Sequence, residues 1–243
     1  MLTRFALAVV TGAAALVAVT QAKADVYTDA VGDISPSIFS GNGVLDITGM
    51  EVTNTATDLV FKLSVNGNVA TTDWGKFMVG IGRVGGSGTT SGNGWGRPIN
   101  MSTPSGGMTN WLGGWTDSGG GAESYVYGGS SWSLVGATWA GSLPGSFSIS
   151  AGSISSVTWT ISMASMGLSV GDTFYFDAYT SGGGGGDGAI DALANPNVTV
   201  SGWTDSYTSS QGSGLYSYTV VPAPGALALL GLAGAAGSRR RKA

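Results

Sequence analysis

The sequence predicts an all-β fold, a single antiparallel β-sandwich or jelly-roll-like domain. Short segments of alternating apolar and polar residues recur along the chain, turns rich in glycine, serine and threonine separate them, and no long amphipathic helical pattern competes with them. Glycine accounts for 43 of the 243 residues, but eight tryptophans spread through the chain can fill a core. We therefore expect one folded domain with glycine-rich loops.

The first predicted elements form a β-hairpin. Residues 44–52 alternate loosely, residues 54–58 are a polar turn, and residues 59–65 return as a second strand. The second strand places four apolar side chains on one face: Leu59, Phe61, Leu63 and Val65. This face is expected to be buried.

A third strand is predicted at residues 76–83, followed by a Gly/Ser/Thr loop at residues 85–94. Residues 80–85 match G-x-G-x-x-G literally. No helix follows that could direct its N-terminus at a pyrophosphate, so a strand running into a flexible loop explains the match better than dinucleotide binding.

Aromatic strands alternate with glycine turns in the rest of the body. Strands are predicted at residues 110–115, 123–127, 132–139, 147–150, 157–163, 172–180, 198–203 and 215–221, with a short helical turn within 163–171. Two of these strands have an apolar face: Val157, Trp159 and Ile161 in one, Phe174, Phe176 and Ala178 in the other. Five consecutive glycines, 182–186, follow the latter.

The N-terminus has the pattern of a secretory signal peptide. Arg4 supplies a basic start, residues 5–19 are apolar, and Ala22 and Ala24 form a small-x-small cleavage site before Asp25. The pattern predicts a signal peptide over residues 1–24, removed by signal peptidase, and a mature chain that begins near Asp25. An uncleaved N-terminal anchor is the alternative.

The C-terminus, residues 221–243, has three parts. Pro222, Ala223 and Pro224 interrupt any preceding element, residues 225–237 are uncharged and rich in alanine and leucine, and a basic end follows. The basic residues, which favour the cytoplasmic side of a membrane, are Arg239, Arg240, Arg241 and Lys242. We expect residues 225–237 to form a short transmembrane helix. It would span only about 20 Å of a hydrocarbon core of roughly 30 Å, so a processing signal explains it better than a permanent tail anchor.

This order resembles the PEP-CTERM sorting signal of exported bacterial proteins, with Ala223 in the place of the glutamate that names the family. The resemblance covers roughly the last two dozen residues, 221–243. It implies that an exosortase-like membrane protease cuts near the proline motif, so that the protein is anchored transiently in the inner membrane and then reaches the outer surface or extracellular matrix. It also implies an association with exopolysaccharide.

Charge is distributed unevenly along the chain. Of its ten lysines and arginines, two precede Asp25 and four follow residue 238, whereas all 14 acids lie between. The body therefore carries four bases against 14 acids, a net charge of −10. Nucleic acid is excluded as a partner, because its recognition needs a basic face.

The chain contains no cysteine and no histidine. The missing cysteine excludes disulfides, thiol nucleophiles and thiolate metal sites. The missing histidine excludes Ser-His-Asp chemistry and the usual zinc, copper and non-haem iron sites. We expect no organic cofactor and no enzymatic activity.

Two pairs of aspartates suggest a calcium site. Asp29 and Asp33 open the body, and Asp187 and Asp191 follow the glycine run, each pair four residues apart. Carboxylate oxygens on glycine-bearing loops are what calcium prefers, and the four could share one site if the ends of the body lie side by side. The alternative is that they are solvated turn and capping residues.

Tryptophans beside polar loops suggest a sugar-stacking surface, because an indole face can bind the apolar face of a pyranose. The candidates are Trp95, Trp111, Trp115 and Trp203. The order of features from Asp29 to Phe61 is also similar to that of carbohydrate-binding sandwich modules. Core packing is the alternative role for these tryptophans.

The sequence thus predicts an exported, non-enzymatic surface or extracellular-matrix protein. A carbohydrate-binding module acting on exopolysaccharide is the first alternative. A glycoside hydrolase that uses paired carboxylates is the second. The body has only two glutamates, Glu51 and Glu123, and nothing in the sequence places either opposite an aspartate across a cleft.

Overall fold

Short strands run through most of the body, as the alternating sequence predicts. A computed structural model describes residues 24–38, 43–212 and 214–223. The chain divides into two units: Ala22–Ala223, which contains every described residue, and Met1–Gln21 with Pro224–Ala243, which contains none. The predicted membrane helix at 225–237 and nearly all of the predicted signal peptide therefore lie outside the described residues.

Fifteen strands occur within the described residues: β1 Asp25–Thr28, β2 Ile47–Asn54, β3 Asp58–Val65, β4 Lys76–Arg83, β5 Ile99–Thr103, β6 Gly106–Gly107, β7 Asn110–Trp115, β8 Gly121–Tyr127, β9 Trp132–Ala137, β10 Gly145–Ser150, β11 Ser155–Ser162, β12 Thr173–Ser181, β13 Ala189–Ala192, β14 Tyr207–Ser209 and β15 Tyr216–Thr219. Two 3-10 turns, Asp117–Gly119 and Ala164–Met166, complete the regular structure there. The second turn confirms the helical turn predicted within 163–171.

The strands form three sheets. The first has the order β1-β2-β3-β11-β10, and the second has the order β13-β12-β4-β7-β8-β9 with β15 also paired to β12. A small third sheet has the order β14-β5-β6. The predicted β2–β3 hairpin is confirmed as an antiparallel pair. The two large sheets have five and seven strands, more than the eight strands of a jelly roll.

The two large sheets pack face to face in a sandwich-like arrangement. Phe61 of β3 meets Phe174 and Phe176 of β12, with ring centroids 5.9 and 6.4 Å apart. Trp159 of β11 donates its indole N–H to the carbonyl of Gly113 in β7 at 3.1 Å. Both faces predicted from Val157 to Ile161 and from Phe174 to Ala178 are fully buried. Burial of such aromatic and aliphatic side chains is the main source of the stability of the body.

The small third sheet covers part of the outer face of the seven-stranded sheet. Tyr207 of β14 packs edge-on against Tyr179 of β12, with centroids 6.1 Å apart. Ser209 of β14 donates to the buried carboxylate of Asp177 and lies 3.0 Å from the hydroxyl oxygen of Tyr179. The sequence does not predict this extra layer.

Two predictions about strands are wrong. The pair β14–β5 is parallel rather than antiparallel, and residues 198–203 are not a strand. Val198 and Val200 are buried, as their alternation suggests. However, the backbone of Val200 bonds to side chains: its N–H donates to Ser35 Oγ, and its carbonyl accepts from the hydroxyls of Ser35 and Ser37. Serine hydroxyls thus satisfy this backbone in place of a neighbouring strand.

Candidate functional site

Three of the four predicted calcium ligands lie together. Asp29 follows β1, Asp33 lies in the loop after it, and Asp191 belongs to β13. One carboxylate oxygen from each lies within 4.8 Å of the others. We call these three residues the acidic cluster.

A fourth aspartate outside the cluster fixes the loop that carries Asp33. Both carboxylate oxygens of Asp46 accept the N–H of Gly32 at 3.0 Å, and Asp46 Oδ2 also accepts from Asn66 Nδ2 at 3.0 Å. Gly32 has a φ of +87°, a left-handed conformation that favours glycine. The loop is therefore held in a shape that turns Asp33 back toward Asp29.

The oxygens of the acidic cluster are unequally satisfied. Asp191 accepts the backbone N–H groups of Ile47 at 2.7 Å and Ala192 at 2.8 Å, and Asp29 Oδ1 accepts that of Ala30 at 3.0 Å. Among the described residues, Asp29 Oδ2 and both oxygens of Asp33 are buried without a hydrogen-bond partner. Unpaired buried carboxylate oxygens are costly, so this arrangement needs either protons or a cation.

The pKa values in the cluster point the same way. Burial, reinforced by the charge of Asp33, raises the pKa of Asp29 to about 8. Burial, reinforced by Asp29 and Asp33, also raises the pKa of Asp191 to about 8. The pKa of Asp33 is raised, chiefly by burial. Three hard oxygen donors of this kind suit calcium, which a protein completes with carbonyl and water oxygens.

The prediction that Asp187 joins this site is wrong. Asp187 closes a tight turn, where its Oδ2 accepts the N–H of Gly184 at 2.8 Å, and its backbone carbonyl accepts from Arg97 Nη1 at 2.9 Å. Asp29 and Asp33 are separated by a turn, whereas strand β13 occupies most of the interval from Asp187 to Asp191. Four residues of extended chain cover about 13 Å, too far for both carboxylates to reach one ion.

A second candidate site is a groove of about 190 Å³ that is lined in part by tryptophans. The groove is lined by Lys76, Trp95, Arg97, Trp115 and Gly185, and we call it the aromatic groove. The rings of Trp95 and Trp115 have centroids 6.4 Å apart and planes inclined by 43°. Two of the four predicted sugar-stacking residues therefore share one surface.

The loop that carries Trp95 and Arg97 is organised by a buried asparagine. Asn93 Nδ2 donates to the carbonyls of Arg97 and Ile99 at 2.8 and 2.9 Å, and Asn93 Oδ1 accepts the N–H of Trp95 at 3.0 Å. The Trp95 ring lies on Gly113 so closely that a Cβ there would be 2.1 Å from it. Only glycine at position 113 leaves room for this ring.

Glu123 links the groove to a further tryptophan, Trp139, for which the sequence pattern predicts no role. Its two carboxylate oxygens accept the indole N–H of Trp95 at 2.6 Å and that of Trp139 at 2.8 Å, and also the hydroxyl of Tyr125 at 3.0 Å. The Trp139 side chain is 68% exposed. Residues 95 and 139 are distant in sequence, and only the pairing of β8 with β7 and β9 reveals that both reach Glu123.

The other two predicted sugar-stacking residues are elsewhere. Trp111 is fully buried and stacks on Tyr179, with centroids 6.0 Å apart and planes inclined by 21°, so its predicted exposure is wrong. It lies beneath the small third sheet. Trp203 is half-buried and packs edge-on against Trp74, 6.1 Å away.

The two glutamates considered for hydrolysis lie on different sheets. Glu51 is in β2, opposite Lys62 in the register of the β2–β3 pair, and Glu123 is in β8. They therefore do not form the facing carboxylate pair that glycoside hydrolysis requires.

The first and last described residues of the body adjoin the predicted signal peptide and the predicted sorting signal. Strand β1 begins at Asp25, directly after Ala24; Ala22 of the predicted cleavage site lies outside the described residues. At the other end, Asn54 accepts the N–H of Val221 at 3.1 Å and donates to its carbonyl at 2.8 Å. Pro222 is exposed and Ala223 half-buried, while the remaining sorting-signal residues, Pro224, Arg239, Arg240, Arg241 and Lys242, lie outside the described residues.

Comparisons with known protein families, with curated proteins and with solved structures found no match to this chain. Within the part of the chain that the structure describes, no helix is both long and apolar enough to cross a membrane.

Proposed function

We propose that this protein is an exported, non-enzymatic component of the cell surface or extracellular matrix, with a β-sandwich body stabilised by calcium. The observation that carries the proposal is the acidic cluster of Asp29, Asp33 and Asp191. One carboxylate oxygen from each lies within 4.8 Å of the others, and three carboxylate oxygens of Asp29 and Asp33 are buried without a hydrogen-bond partner among the described residues. Calcium-binding modules of extracellular proteins have dissociation constants of about 10⁻⁴ to 10⁻³ M. A site of that affinity would stabilise the folded body only where calcium is plentiful.

The junction at Val221 supports delivery by a sorting signal. The last described hydrogen bonds of the body are those of Asn54 with Val221, and the exposed Pro222 follows immediately. A protease acting near the proline motif would therefore meet it just outside the sandwich and would leave the body intact. Signal peptidase and an exosortase-like protease are the proposed processing partners, with the C-terminal segment holding the protein in the inner membrane until it is cut.

The chemistry of the body supports a non-enzymatic role. The chain has no histidine or cysteine to serve as base or nucleophile. Glu123, which supports Trp95 of the aromatic groove, has both carboxylate oxygens engaged by indole and phenol donors. These hydrogen bonds suit a structural support for aromatic rings.

Native mass spectrometry of protein recovered from the producing cells tests both parts of this proposal. We expect a chain that begins near Asp25, ends within residues 222–224 and carries one calcium ion after transfer into calcium buffer. A chain that retains residues 239–243 would replace the sorting signal with a plain membrane anchor. A correctly processed chain without bound calcium would overturn the cation site alone.

Carbohydrate binding is a second candidate function, favoured by the aromatic groove. Trp95 and Trp115 offer two neighbouring indole rings on the surface of an otherwise polar region. A pyranose ring presents apolar C–H groups that pack on such faces. Titration of the intrinsic tryptophan fluorescence with a panel of oligosaccharides tests it; no change with any of them would remove this candidate.

A further inference from the structure

Basic residues are rare in the body, and they are concentrated at the aromatic groove. The body has only four: Lys62, Lys76, Arg83 and Arg97. Two of them, Lys76 and Arg97, line the groove beside Trp95 and Trp115, and its described lining residues include no acid. The lining of the groove is therefore positively charged, whereas the body as a whole has a net charge of −10.

We propose that the aromatic groove binds an acidic polysaccharide, with a pyranose ring on Trp95 and Trp115 and its carboxylate held by Lys76 and Arg97. The proposal rests on the second candidate function, carbohydrate binding, and assigns the ligand class. A carboxylate accepts charge-assisted hydrogen bonds from ammonium and guanidinium groups, which are stronger than bonds between neutral groups.

Arg97 is held ready for this role. Its Nη1 donates to Ser181 Oγ at 2.8 Å and to the carbonyl of Asp187 at 2.9 Å, and its Cζ lies 5.5 Å from the centroid of the Trp95 ring. Burial lowers the pKa of Arg97, although a guanidinium stays protonated in proteins. A bound carboxylate would compensate this poorly solvated charge.

Lys76 presents its ammonium from the start of β4. Its Nζ donates to the carbonyl of Trp74 at 3.2 Å and pairs with Asp117 at 3.1 Å. An ammonium has three donors, so these two partners leave one for a ligand. Its side chain is only 14% exposed, which fixes the position of the charge at the groove.

The groove is also preorganised for binding. Trp95 is fixed by its bond to Glu123, by close packing on Gly113 and by the guanidinium of Arg97. A preorganised ring loses little conformational entropy on binding. On one side the lining residue is Gly185, within an exposed run of glycines, so no described lining side chain on that side obstructs a polymer that extends past the groove.

Isothermal titration of the full mature chain against a matched pair of ligands tests the proposal. The first ligand is a hexasaccharide of alternating glucuronate and N-acetylglucosamine, and the second is the same hexasaccharide with its carboxylates reduced to hydroxymethyl groups. We expect the acidic form to bind at least about tenfold more tightly, the difference that one charge-assisted hydrogen bond supplies. Raising the salt concentration should narrow the difference.

Three variants test whether the polysaccharide binds in the aromatic groove. Lys76→Gln should weaken binding of the acidic hexasaccharide about tenfold without changing that of the reduced form. Lys62→Gln removes an exposed base on β3, outside the groove, and should change neither affinity. Trp115→Ala should weaken both forms; if that variant does not fold, the comparison of the two lysine variants decides.

The outcomes separate the two hypotheses. Equal binding of both hexasaccharides would overturn the acidic ligand and leave carbohydrate binding standing. No binding of either would overturn both. Preferential binding of the acidic form that Lys76→Gln and Lys62→Gln weaken equally would refute recognition in this groove.

Discussion

Replacing Asp33 by asparagine should affect stability in opposite directions with and without calcium. Both carboxylate oxygens of Asp33 are buried and have no hydrogen-bond partner among the described residues, so the substitution removes a charge and breaks no described hydrogen bond. Without a cation, removing one of three clustered negative charges relieves repulsion and stabilises the fold. With calcium, the same change removes a ligand and destabilises the complex.

The magnitude of the calcium effect follows from mass action. A cation bound only to the folded protein adds RT ln(1 + [L]/Kd) to the free energy of unfolding, about 2.7 kcal/mol when its concentration is about 100 times Kd. A site with Kd of about 10⁻⁴ M reaches that ratio at about 10 mM calcium. For a domain of roughly 200 residues the gain corresponds to a rise of about 5–10 °C in Tm.

The gain from Asp33→Asn without a cation is smaller. Two unit charges 4.8 Å apart repel by about 3.5 kcal/mol at an effective dielectric constant of about 20. At pH 8 protonation reduces this cost, because Asp29 and Asp191 have pKa values of about 8 and are only partly ionised. We therefore expect the variant to gain about 1–2 kcal/mol in chelator at that pH.

Scanning calorimetry at pH 8 in chelator and in calcium measures both effects. The control is Asp73→Asn, which removes an exposed charge outside the cluster and should keep the wild-type calcium response. The reasoning is refuted if calcium leaves the wild-type Tm unchanged, or if Asp33→Asn and the wild type gain the same number of degrees.

Three further predictions concern pH, the end of the body and the groove. In chelator, the free energy of unfolding should fall as pH rises from about 4 to 8. Burial raises the pKa of Asp29 and Asp191 to about 8 and that of Asp177 to about 7, so in this range the folded state holds protons that the unfolded state has released. A Tm that does not change with pH in calorimetry would contradict this. Asn54→Ala should lower the free energy of unfolding by about 1–3 kcal/mol, because it removes the hydrogen-bond partner of the Val221 backbone and of the Tyr218 hydroxyl. Chemical denaturation measures the loss. Gly113→Ala should displace the Trp95 ring and shift tryptophan fluorescence, whereas Gly186→Ala, whose Cβ meets nothing within 4 Å, should not.

The sequence predicts those strands that carry several large apolar side chains. Residues 76–83 and 110–115 were predicted as strands and coincide with β4 and β7. The buried faces of β3, β11 and β12 were likewise predictable, because burial of Phe61, Trp159 and Phe174 dominates their energetics. Strand β13, Ala189–Ala192, lacks this signal, because it is only four residues long, has no aromatic side chain and contains the buried Asp191.

The candidate sites were predicted only where local spacing decides the geometry. A turn bends Asp33 back toward Asp29, so that pair is visible in the sequence, while the equal spacing of Asp187 and Asp191 misleads because a strand intervenes. Trp111 and Trp115 have the spacing of one strand face, yet Trp111 is buried beneath the third sheet and Trp115 lines the groove. Which part of a face is covered depends on tertiary packing that no local pattern contains.

The three aspartates of the acidic cluster come together only late in folding, which limits when a cation can bind. Asp29 and Asp33 lie near the start of the body and Asp191 near its end, so the site forms only after β13 has paired with β12 and Asp191 has accepted the N–H of Ile47. Contacts between such distant parts of a chain form late, because closing the long loop between them costs entropy. For a chain that is exported and binds calcium as we propose, the ion would stabilise the finished fold outside the cell and would have no complete site in the chain that is still being exported. Calcium should accordingly slow unfolding much more than it speeds refolding.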